Sequence, residues 1–507
     1  MNSIKPTALV ILDGWGFAPP GPYNAISQAN PTTFNFLWNH YPHALLAASG
    51  SAVGLPDGVP GNSEVGHITI GAGRVIQQPI TLLQHSIDDG SFFTNATIAQ
   101  VLEQCKLQKG RLHILGLLSD GWVHSHEQHL YAFLKAAAQK AVPSVVVHAF
   151  VDGRDVAPGS AATYLQRLTA HLNNSGGELG SITGRFYAMD RDENWQRTLA
   201  TYTMLTHGAA CTTPWQTVLQ ENYANNISDE HIPPTLLQTN ATIRDNDTVI
   251  IINVRPDRVR QLTSLLLNQA LPSKKNKPWP EVDNPLHNLT LLTVVRYHPL
   301  FKNPVVIERQ QITNTLLDQL EEKKVTVFTI AETEKYAHVT YFFGGGAEEP
   351  RDNEQRILIP SQVTTNYAEL PAMSANEITH AVITSLVYNP CNFYLINYAN
   401  ADMVGHTGSL QSTIKAVQCI DTQLKILYDT VVEQYNGTLL ITADHGKAEQ
   451  LWDDQHNHPL TAHTTNPVPF IMANKRLRDQ PIRPPIAALA DIAHFVLKSI
   501  DLSLTKN

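Results

Sequence analysis

Short apolar runs alternate along the chain with longer stretches of helical periodicity. The clearest runs are TALVIL, RLHILGLL, SVVVHAFV, TVIIINV, VTVFTI, NFYLIN and TLLITA. Runs of this length that are rich in leucine or β-branched residues predict strands. Because these strands alternate with helices, we predict an α/β protein with largely parallel sheets.

Polar residues follow these apolar runs closely. They are Asp13, Asp120, His124, Asp152, Arg154, Asp155, Arg255, Asp257, Arg258, Glu332, Lys335, Asn397, Asp402, Asp444 and His445. Ligands of open α/β sheets bind beyond the carboxyl ends of the strands. The recurrence therefore predicts functional sites at those ends.

Two stretches without a strand pattern indicate connections. Residues 265–290 combine lysines with four prolines, which predicts a surface loop. An apolar-polar linker at 304–311 precedes the helical pattern NTLLDQLEEKK and is a candidate hinge. The chain shows no short-period repeat or heptad pattern, which excludes solenoid and coiled-coil architectures.

Composition narrows the class of protein. With 507 residues, 43% of them hydrophobic and 16% charged, the chain is globular and long enough for two or three domains. A net charge of −9 gives no global basic field, so we expect no nucleic-acid partner. No apolar run approaches the roughly 20 residues that span a bilayer, so we expect a soluble protein that does not enter membranes.

The cysteines indicate the compartment. Cys105, Cys211, Cys391 and Cys419 are scattered and form no C-x-x-C pair. This spacing fits free thiols in a reducing compartment better than disulfides or a cysteine-zinc site. We therefore expect a cytoplasmic protein.

Ser63 is the candidate nucleophile. It lies in the glycine-rich turn Gly61-Asn62-Ser63, just before Glu64. Such a turn can present a hydroxyl at a helix N-terminus, where a phosphate group is also favoured. A lone serine there is ordinarily a helix cap. The absence of a G-x-S-x-G elbow argues against an acyl hydrolase.

A set of acidic and histidine residues strengthens the interpretation of Ser63. The set comprises Asp13, Asp402 and His406 in NADMVGHTG, Asp444 and His445 in TADHGKAE, and His463 in AHTTNPVP. Carboxylates combined with imidazoles suit Mn²⁺ or Zn²⁺. Each residue alone has an ordinary structural role, such as a turn, a cap or a surface loop. Their joint occurrence predicts a metal centre.

Local spacing refines this prediction. The glycine between Asp402 and His406 predicts a loop rather than a shared helix face. Asp444 and His445 should face opposite ways on an extended strand, as residues that serve two ions would. Two ions about 4 Å apart would lower the pKa of the serine and neutralise phosphoryl oxygens during in-line displacement.

The middle of the chain carries a second constellation. It consists of His124, Asp152, Arg154, Asp155, Arg185, Arg191, Arg255 and Arg258. Several arginines after strands in an acidic protein predict a small, multiply anionic substrate, because a guanidinium binds carboxylate and phosphate in a bidentate way. Individual Asp-Arg pairs are equally consistent with structural salt bridges. Lys335 is either a group that offsets phosphoryl charge near the metals or an ordinary solvated lysine.

In chain order, the motifs LDGWG, GNSEVGH, LLSDGWVHSH, DGRD, GRFYAMDRD, NADMVGHTG, TADHG and HTTNPVP closely resemble the cofactor-independent phosphoglycerate mutases of the alkaline phosphatase superfamily. The resemblance runs essentially from end to end. TADHG is shared across the wider superfamily, whereas DGRD and YAMDRD are specific to the mutases.

The resemblance implies an alkaline-phosphatase-like three-layer domain, residues 1–76 and 309–507, with an inserted α/β transferase domain, residues 77–308, in a monomer. It implies two divalent ions, Mn²⁺ first, and no 2,3-bisphosphoglycerate. One ion would bind Asp402, His406 and His463, and the other Asp13, Ser63, Asp444 and His445. The substrate-binding positions would be His124, Arg154, Asp155, Arg185, Arg191, Arg255, Arg258 and Lys335.

The implied reaction interconverts 3-phosphoglycerate and 2-phosphoglycerate through a phosphoserine at Ser63, in glycolysis and gluconeogenesis. Asp155 would be the acid/base on the glycerate hydroxyls, and His124 would lie near the transferring phosphoryl group. Three positions depart from the family pattern: Lys447 replaces Asn, Trp122 replaces Gly and Pro60 replaces Met. Lys447 either points outward, weakens metal affinity or shifts the pH optimum.

Two alternatives stay open at this point. One is a different metal phosphohydrolase or phosphomutase, against which the arginine set in the inserted segment argues. The other is a catalytically inactive protein that binds anionic metabolites, which Lys447 keeps open although all seven metal positions are filled.

Overall fold

A computed structural model describes residues 4–504, except 210–212, 274, 276, 309–310, 365, 454–456 and 481–482. The chain divides into two compact units. The larger unit comprises Met1–Gln78 with Gln311–Asn507, and the inserted unit is Pro79–Gln310. Of the linker at 304–311, Val305 forms an isolated bridge with Thr293, and residues 309–310 lie outside the described residues.

The strands are β1 (Thr7–Leu12), β2 (His43–Leu46), β3 (Leu112–Leu118), β4 (Val145–Val151), β5 (Glu178–Gly184), β6 (Thr235–Leu236), β7 (Thr248–Ile251), β8 (Thr290–Thr293), β9 (Val327–Glu332), β10 (Glu354–Ile359), β11 (Phe393–Tyr398), β12 (Thr438–Thr442), β13 (Trp452–Asp453), β14 (His458–Pro459) and β15 (Val468–Ala473). All seven runs that the apolar pattern predicted to be strands contain one.

The α-helices are α1 (Ala25–Ala29), α2 (Thr32–His40), α3 (Ser63–Ala72), α4 (Pro79–Asp88), α5 (Ala96–Gln108), α6 (Glu127–Gln139), α7 (Ala161–Ser175), α8 (Arg185–Ala188), α9 (Trp195–His207), α10 (Trp215–Ala224), α11 (Arg260–Leu266), α12 (Leu316–Glu322), α13 (Thr333–Ala337), α14 (Ala375–Tyr388), α15 (Asn400–Gly405), α16 (Leu410–Leu427) and α17 (Ile492–Leu504). Single 3₁₀ turns lie at Gly50–Val53, Ser91–Thr94, Asp229–His231, Tyr367–Glu369, Lys475–Leu477 and Leu489–Asp491, and π-helical turns at His338–Phe342 and Tyr428–Gln434. The pattern NTLLDQLEEKK forms α12, as predicted.

The sheet of the larger unit has the order β10-β9-β11-β1-β12-β15-β2. From β10 to β12 the strands are parallel, and β15 and β2 continue the sheet in antiparallel pairings. Every residue of β1, β9 and β11 is buried, so both faces of the sheet are covered. Helix α17 packs on β1, and α14 packs on β9 and β11. The parallel strands send their carboxyl ends to one edge, where the polar residues that follow them meet.

The sheet of the inserted unit has the order β6-β5-β4-β3-β7-β8. All of its pairings are parallel except that of the short edge strand β6. Strands β3 and β4 are buried throughout. Two sheets that alternate with helices confirm the predicted α/β class. In the described part of residues 265–290, only 265–266, at the end of α11, and Thr290, at the start of β8, belong to a helix or strand.

A row of buried polar side chains crosses the inserted sheet. His113 Nε2 lies 3.1 Å from Asp247 Oδ2, its Nδ1 lies 2.9 Å from His148 Nε2, and His148 Nδ1 lies 2.9 Å from Ser181 Oγ. Burial holds the pKa of both histidines below the usual value. Because unpaired buried polar groups are costly, this chain of contacts favours one register of β3, β4 and β5.

Cys105, Cys391 and Cys419 are free thiols, as expected, whereas Cys211 lies outside the described residues. Across the described part of the chain, no helix is both long enough and apolar enough to cross a membrane.

Candidate active site

Ser63 is the first residue of α3, and it is 6% exposed. The side chain of Asn62 caps the helix by accepting from Val65 N at 3.1 Å. The Ser63 hydroxyl donates to Asp13 Oδ1 at 3.1 Å and lies 3.1 Å from His445 Nε2. The positive end of the α3 dipole and the glycine-rich turn thus present this oxygen where a phosphoryl group is favoured.

Lys335, in α13 directly after β9, reaches the same place. Its ammonium donates to Ser63 Oγ at 2.7 Å, to Asp13 Oδ1 at 2.7 Å and to Asp402 Oδ2 at 2.6 Å. Burial alone would raise the pKa of the Asp13 and Asp402 carboxyls, but Lys335 holds both well below their usual value. Lys335 is 4% exposed, so it is not an ordinary solvated lysine.

Two imidazoles and one carboxylate converge beside this lysine. Asp402 Oδ1 lies 3.1 Å from His406 Nε2 and 3.2 Å from His463 Nε2. The two Nε2 atoms lie 3.1 Å apart. Each histidine donates its Nδ1–H to a backbone carbonyl, His406 to Thr461 at 2.8 Å and His463 to Gly61 at 2.9 Å. Two lone pairs and a carboxylate oxygen that face one another suit a divalent cation.

The loop predicted around Asp402 and His406 is wrong. Asp402 lies in α15, and His406 caps that helix, with its backbone N donating to Asp402 O at 2.9 Å. Gly405 is not a turn former here. A Cβ on Gly405 would come within 2.9 Å of Lys447 Cγ, so the glycine makes room for a side chain from another loop.

The strand geometry predicted for Asp444 and His445 is also wrong. Both residues lie in a bend after β12, which ends at Thr442. Asp444 Oδ1 accepts from His445 N within the bend and from Gly14 N in the segment after β1. The two side chains therefore converge, with His445 Nε2 3.6 Å from Asp444 Oδ2.

His67 joins the site although its sequence position gave it no separate role. It lies one turn after Ser63 in α3, donates from Nδ1 to Ser63 O at 2.8 Å, and lies 3.3 Å from Asp444 Oδ2. Asn397, at the end of β11, donates to Asp13 Oδ2 at 2.9 Å and contacts His67 Nε2. The i, i+4 spacing from Ser63 on a helix was the signal that could have found His67.

Ligand atoms in this region form two close groups. One comprises Asp402, His445 and His463, and the other comprises Asp13, His67 and Asp444. Burial lowers the pKa of His463 to about 4. Burial also opposes protonation of His445, but the surrounding carboxylates raise its pKa to about 9. These groups differ from the ligand sets implied by the resemblance. His445 is grouped with Asp402 and His463, whereas the resemblance placed it with Asp13, Ser63 and Asp444.

Lys447 points inward rather than outward. Its side chain is fully buried, and its Nζ donates to the carbonyls of Leu460 and Ala462, each at 3.0 Å. Burial lowers its pKa to about 8, against the pull of the Asp402 and Glu449 carboxylates. This contact excludes the outward orientation considered for this residue.

In the inserted unit, Arg185 and two aspartates form a buried ion cluster. Arg185 Nη1 lies 2.6 Å from Asp152 Oδ1 and 2.7 Å from Asp155 Oδ2. Asp152 also accepts from Arg154 N, Asp155 N and Ser119 Oγ, so it holds the DGRD turn together. Burial raises the pKa of Asp155, and Arg185 only partly opposes this effect.

His124 lies among the arginines. It is 3% exposed, and burial together with Arg185 holds its pKa well below the usual value. Burial, reinforced by Arg191, Arg185 and Arg154, lowers the pKa of Arg258 to about 10. Within the described residues, His124 Nδ1 and Arg185 Nε are buried without a hydrogen-bond partner. Crowded positive charge and orphaned buried nitrogens suit an anionic ligand.

The remaining arginines of the set carry ion pairs. Arg191 lies 2.9 Å and Arg255 lies 3.1 Å from Asp257, and Arg154 lies 3.3 Å from Glu230. The salt-bridge interpretation therefore holds for these residues. It does not exclude substrate binding, because Arg154 and Arg191 are about half exposed.

The loop that carries His124 tolerates Trp122 without losing its left-handed backbone. Trp122 has φ 58°, a conformation that glycine adopts more easily. Its indole stacks on His126 at 4.0 Å between ring centroids. We attribute the accommodation of this conformation to that stacking.

Comparisons with known proteins identify the family of the chain. Residues 83–299 match the family model of the BPG-independent PGAM N-terminus. The chain is 44% identical to the 2,3-bisphosphoglycerate-independent phosphoglycerate mutase of Synechococcus sp. (strain JA-3-3Ab), over 95% of this chain and 89% of that protein. It is 42% identical to the enzyme of the same name from Clostridium novyi (strain NT), over 99% and 98%.

A solved structure agrees as well. The Leishmania mexicana phosphoglycerate mutase, crystallised at low cobalt concentration, matches with a TM-score of 0.79 and 29% identity, over 98% of this chain and 95% of that one. This match confirms the predicted fold class. The protein is thus an enzyme, an isomerase of the mutase type. More particularly, the chain belongs to the 2,3-bisphosphoglycerate-independent phosphoglycerate mutases. Because the relatives are enzymes, this membership argues against the alternative of an inactive binding protein.

Gly66 allows α3 to approach the bend that carries Asp444. A Cβ at Gly66 would meet Asp444 O at 2.6 Å and Asp444 Cβ at 2.8 Å. We expect Gly66→Ala to lower the free energy of unfolding by about 1–3 kcal/mol, because overpacking outweighs the better helix propensity of alanine. Mutase turnover should fall at least about 100-fold, since small displacements of reacting groups are costly.

Thermal unfolding and turnover measure both effects. Gly21→Ala is the matched control, because a Cβ there meets nothing within 4 Å. A Gly66→Ala enzyme with the turnover of the control would contradict the close packing described here.

Proposed function

We propose that this enzyme interconverts 3-phosphoglycerate and 2-phosphoglycerate in glycolysis and gluconeogenesis through a phosphoserine at Ser63, without 2,3-bisphosphoglycerate. The observation that carries the proposal is the environment of Ser63 Oγ. It lies at a helix N-terminus, within hydrogen-bond distance of Asp13, His445 and Lys335. The names of the relatives supply the substrate class.

We further propose that the larger unit is the phosphatase-like metal-binding domain and holds two divalent ions, with Mn²⁺ as the first choice of metal. Asp402, His406 and His463 would hold one ion, and Asp13, Ser63, Asp444 and His445 the other. The convergence of Asp402 Oδ1 with two imidazole Nε2 atoms supports the first set, and the mixed carboxylate-imidazole donors support manganese over magnesium. When bound, the ions would lower the pKa of the Ser63 hydroxyl and offset phosphoryl charge.

The residues around Ser63 have distinct roles in the transfer. The hydrogen bond to Asp13 orients the hydroxyl, and the Lys335 ammonium stabilises negative charge on Oγ and on the transferred phosphoryl group. The N-terminus of α3 favours the phosphoserine formed there.

The inserted unit would be the transferase domain, which binds the substrate. His124, Arg154, Arg185, Arg191, Arg255 and Arg258 are the binding residues of this proposal. Neutral His124 would contact the transferring phosphoryl group, and the arginines would hold the carboxylate. Glycerate must stay bound, because its escape would allow water to hydrolyse the phosphoserine and would turn the mutase into a phosphatase.

Asp155 would carry the proton between the two half-reactions. As an acid it protonates the 3-oxygen of glycerate when that oxygen leaves the phosphorus. As a base it then accepts the proton of the 2-hydroxyl as the 2-oxygen attacks the phosphoserine. Its raised pKa brings both protonation states closer to neutral pH.

We also propose that the enzyme is a cytoplasmic monomer with a small-molecule substrate and no nucleic-acid partner. The free thiols of the described cysteines and the net charge of −9 support this proposal.

Replacement of the proposed nucleophile is the first test. Ser63→Ala should lower turnover of 3-phosphoglycerate by at least about 10⁴-fold, because no other group can take the phosphoryl. Calorimetry should still detect substrate binding, and the labelled phosphoenzyme should disappear. Ser51→Ala, at an exposed serine of the same unit, should behave as wild type. Retained turnover in Ser63→Ala would refute the phosphoserine route, and release of inorganic phosphate in excess of 2-phosphoglycerate by the wild type would favour a phosphohydrolase.

Metal removal is the second test. EDTA should abolish turnover measured without 2,3-bisphosphoglycerate, and Mn²⁺ should restore it better than the same concentration of Mg²⁺, because imidazole donors favour transition metals. Full activity of a preparation that elemental analysis shows to be free of metal would contradict the metal proposal.

The third test concerns Asp155. Asp155→Asn should lower kcat about 10²–10⁴-fold with little change in KM, because the amide cannot transfer the proton. In the wild type, kcat should fall as the carboxyl loses the proton that it donates in the first half-reaction, at a pH above the usual carboxyl pKa of 3.8, and this limb of the pH profile should be absent from the variant. Asp192→Asn, at a carboxyl that is 60% exposed, is the control. An unchanged kcat would assign the proton transfer to another group.

A further inference from the structure

The segment Leu460–His463 supplies two features of the proposed metal site. His463 belongs to it, and the carbonyl of Thr461 accepts the Nδ1–H of His406 at 2.8 Å. Thr461 and Ala462 are exposed, so little apolar burial holds the segment in place. Its position therefore depends on its hydrogen bonds.

Lys447 supplies two of these hydrogen bonds. Its Nζ donates to Leu460 O and to Ala462 O, each at 3.0 Å. These carbonyls flank Thr461 on both sides, and Ala462 directly precedes His463. One ammonium group thus fixes the peptide on either side of the carbonyl that orients His406.

The stem of the same side chain packs on the other half of the site. Gly405, the last residue of α15, lies close enough that a Cβ there would come within 2.9 Å of Lys447 Cγ and 3.3 Å of its Cε. Asp402 lies in this helix and His406 caps it. Lys447 itself is fully buried, and its backbone N donates to Glu449 Oε2 at 2.7 Å.

We propose that Lys447 is a positioning residue for the ion held by Asp402, His406 and His463. Its stem packs on the end of α15, and its ammonium holds the segment that carries His463 and orients His406. The inference rests on the metal site of the proposed function. It gives Lys447 no contact with the ion or with substrate.

The charge of Lys447 and its hydrogen bonds predict opposite effects on metal affinity. A buried positive charge close to a cation weakens metal binding, so removal of the charge alone should tighten it. Removal of the two hydrogen bonds should instead loosen the His463 segment and the His406 ring, and so weaken binding. Supporting contacts of metal ligands typically change metal affinity about 10–100-fold. The sign of the change therefore separates the two effects.

The experiment is a Mn²⁺ titration of the metal-stripped full-length chain, with free Mn²⁺ followed by electron paramagnetic resonance. Lys447→Met keeps a flexible stem against Gly405 but loses both donors, and we expect its affinity for one ion to fall about 10-fold or more. Lys447→Gln is equally uncharged, and its shorter side chain can keep only part of the two hydrogen bonds, so it should bind more tightly than the Met variant and less tightly than wild type. Lys425→Met removes a charge from an exposed lysine, 59% accessible, and should change nothing.

Thermal unfolding without metal shows whether each variant folds. If the Met variant does not fold, the Mn²⁺ affinity of the Gln variant alone decides whether Lys447 positions the ligands. Weaker binding by the neutral variants supports the positioning role. If either folded variant binds Mn²⁺ as tightly as wild type or more tightly, the positioning role is overturned and only the effect of charge remains. If the wild type itself binds no Mn²⁺, it is the proposed metal site that fails.

Discussion

Three carboxylates buried at one end of a parallel sheet constrain the larger unit more than any other feature. Asp13, Asp402 and Asp444 are each 2% exposed or less. Burial of an ionised carboxylate costs several kcal/mol unless cations and hydrogen bonds offset it. Lys335 offsets part of this cost for Asp13 and Asp402, and the imidazoles around them leave a place for metal ions. The surrounding loops can be understood as supports for this cluster.

The sheet makes the cluster possible. Strands β9, β11, β1 and β12 are adjacent and parallel, so the residues after them come to one edge. Lys335 follows β9, Asn397 is the last but one residue of β11, Asp13 follows β1 and Asp444 follows β12. The inserted unit repeats this arrangement with a different chemistry, since the residues beyond its strands are mainly arginines paired with aspartates. The functions proposed above would thus place a cation-binding edge in one unit and an anion-binding edge in the other, on the same kind of sheet.

The sequence was most informative where one local pattern determines the structure. Apolar runs predicted the strands, and acidic or histidine residues after them predicted which side chains meet. It was less informative where distant contacts decide. The glycine before His406 indicated a loop, yet it lies in a helix, where the side chain of Lys447, some forty positions later, packs against it. His67 was overlooked because its neighbours Asp444 and Asn397 are far away in sequence, and a histidine within a helix has no signature of its own.

The departures from the family pattern show what such a crowded site tolerates. Trp122 keeps a left-handed backbone and stacks on His126. Lys447 brings a positive charge into a region that is expected to hold cations, but it is buried with its ammonium on two carbonyls and its stem on a glycine. Trp122 packs on His126, within the loop that carries His124. Lys447 is hydrogen-bonded to the segment that carries His463. A substitution close to the proposed metal site is therefore compatible with that site when its hydrogen bonds and packing maintain the positions of the ligand side chains, even when its charge opposes an ion.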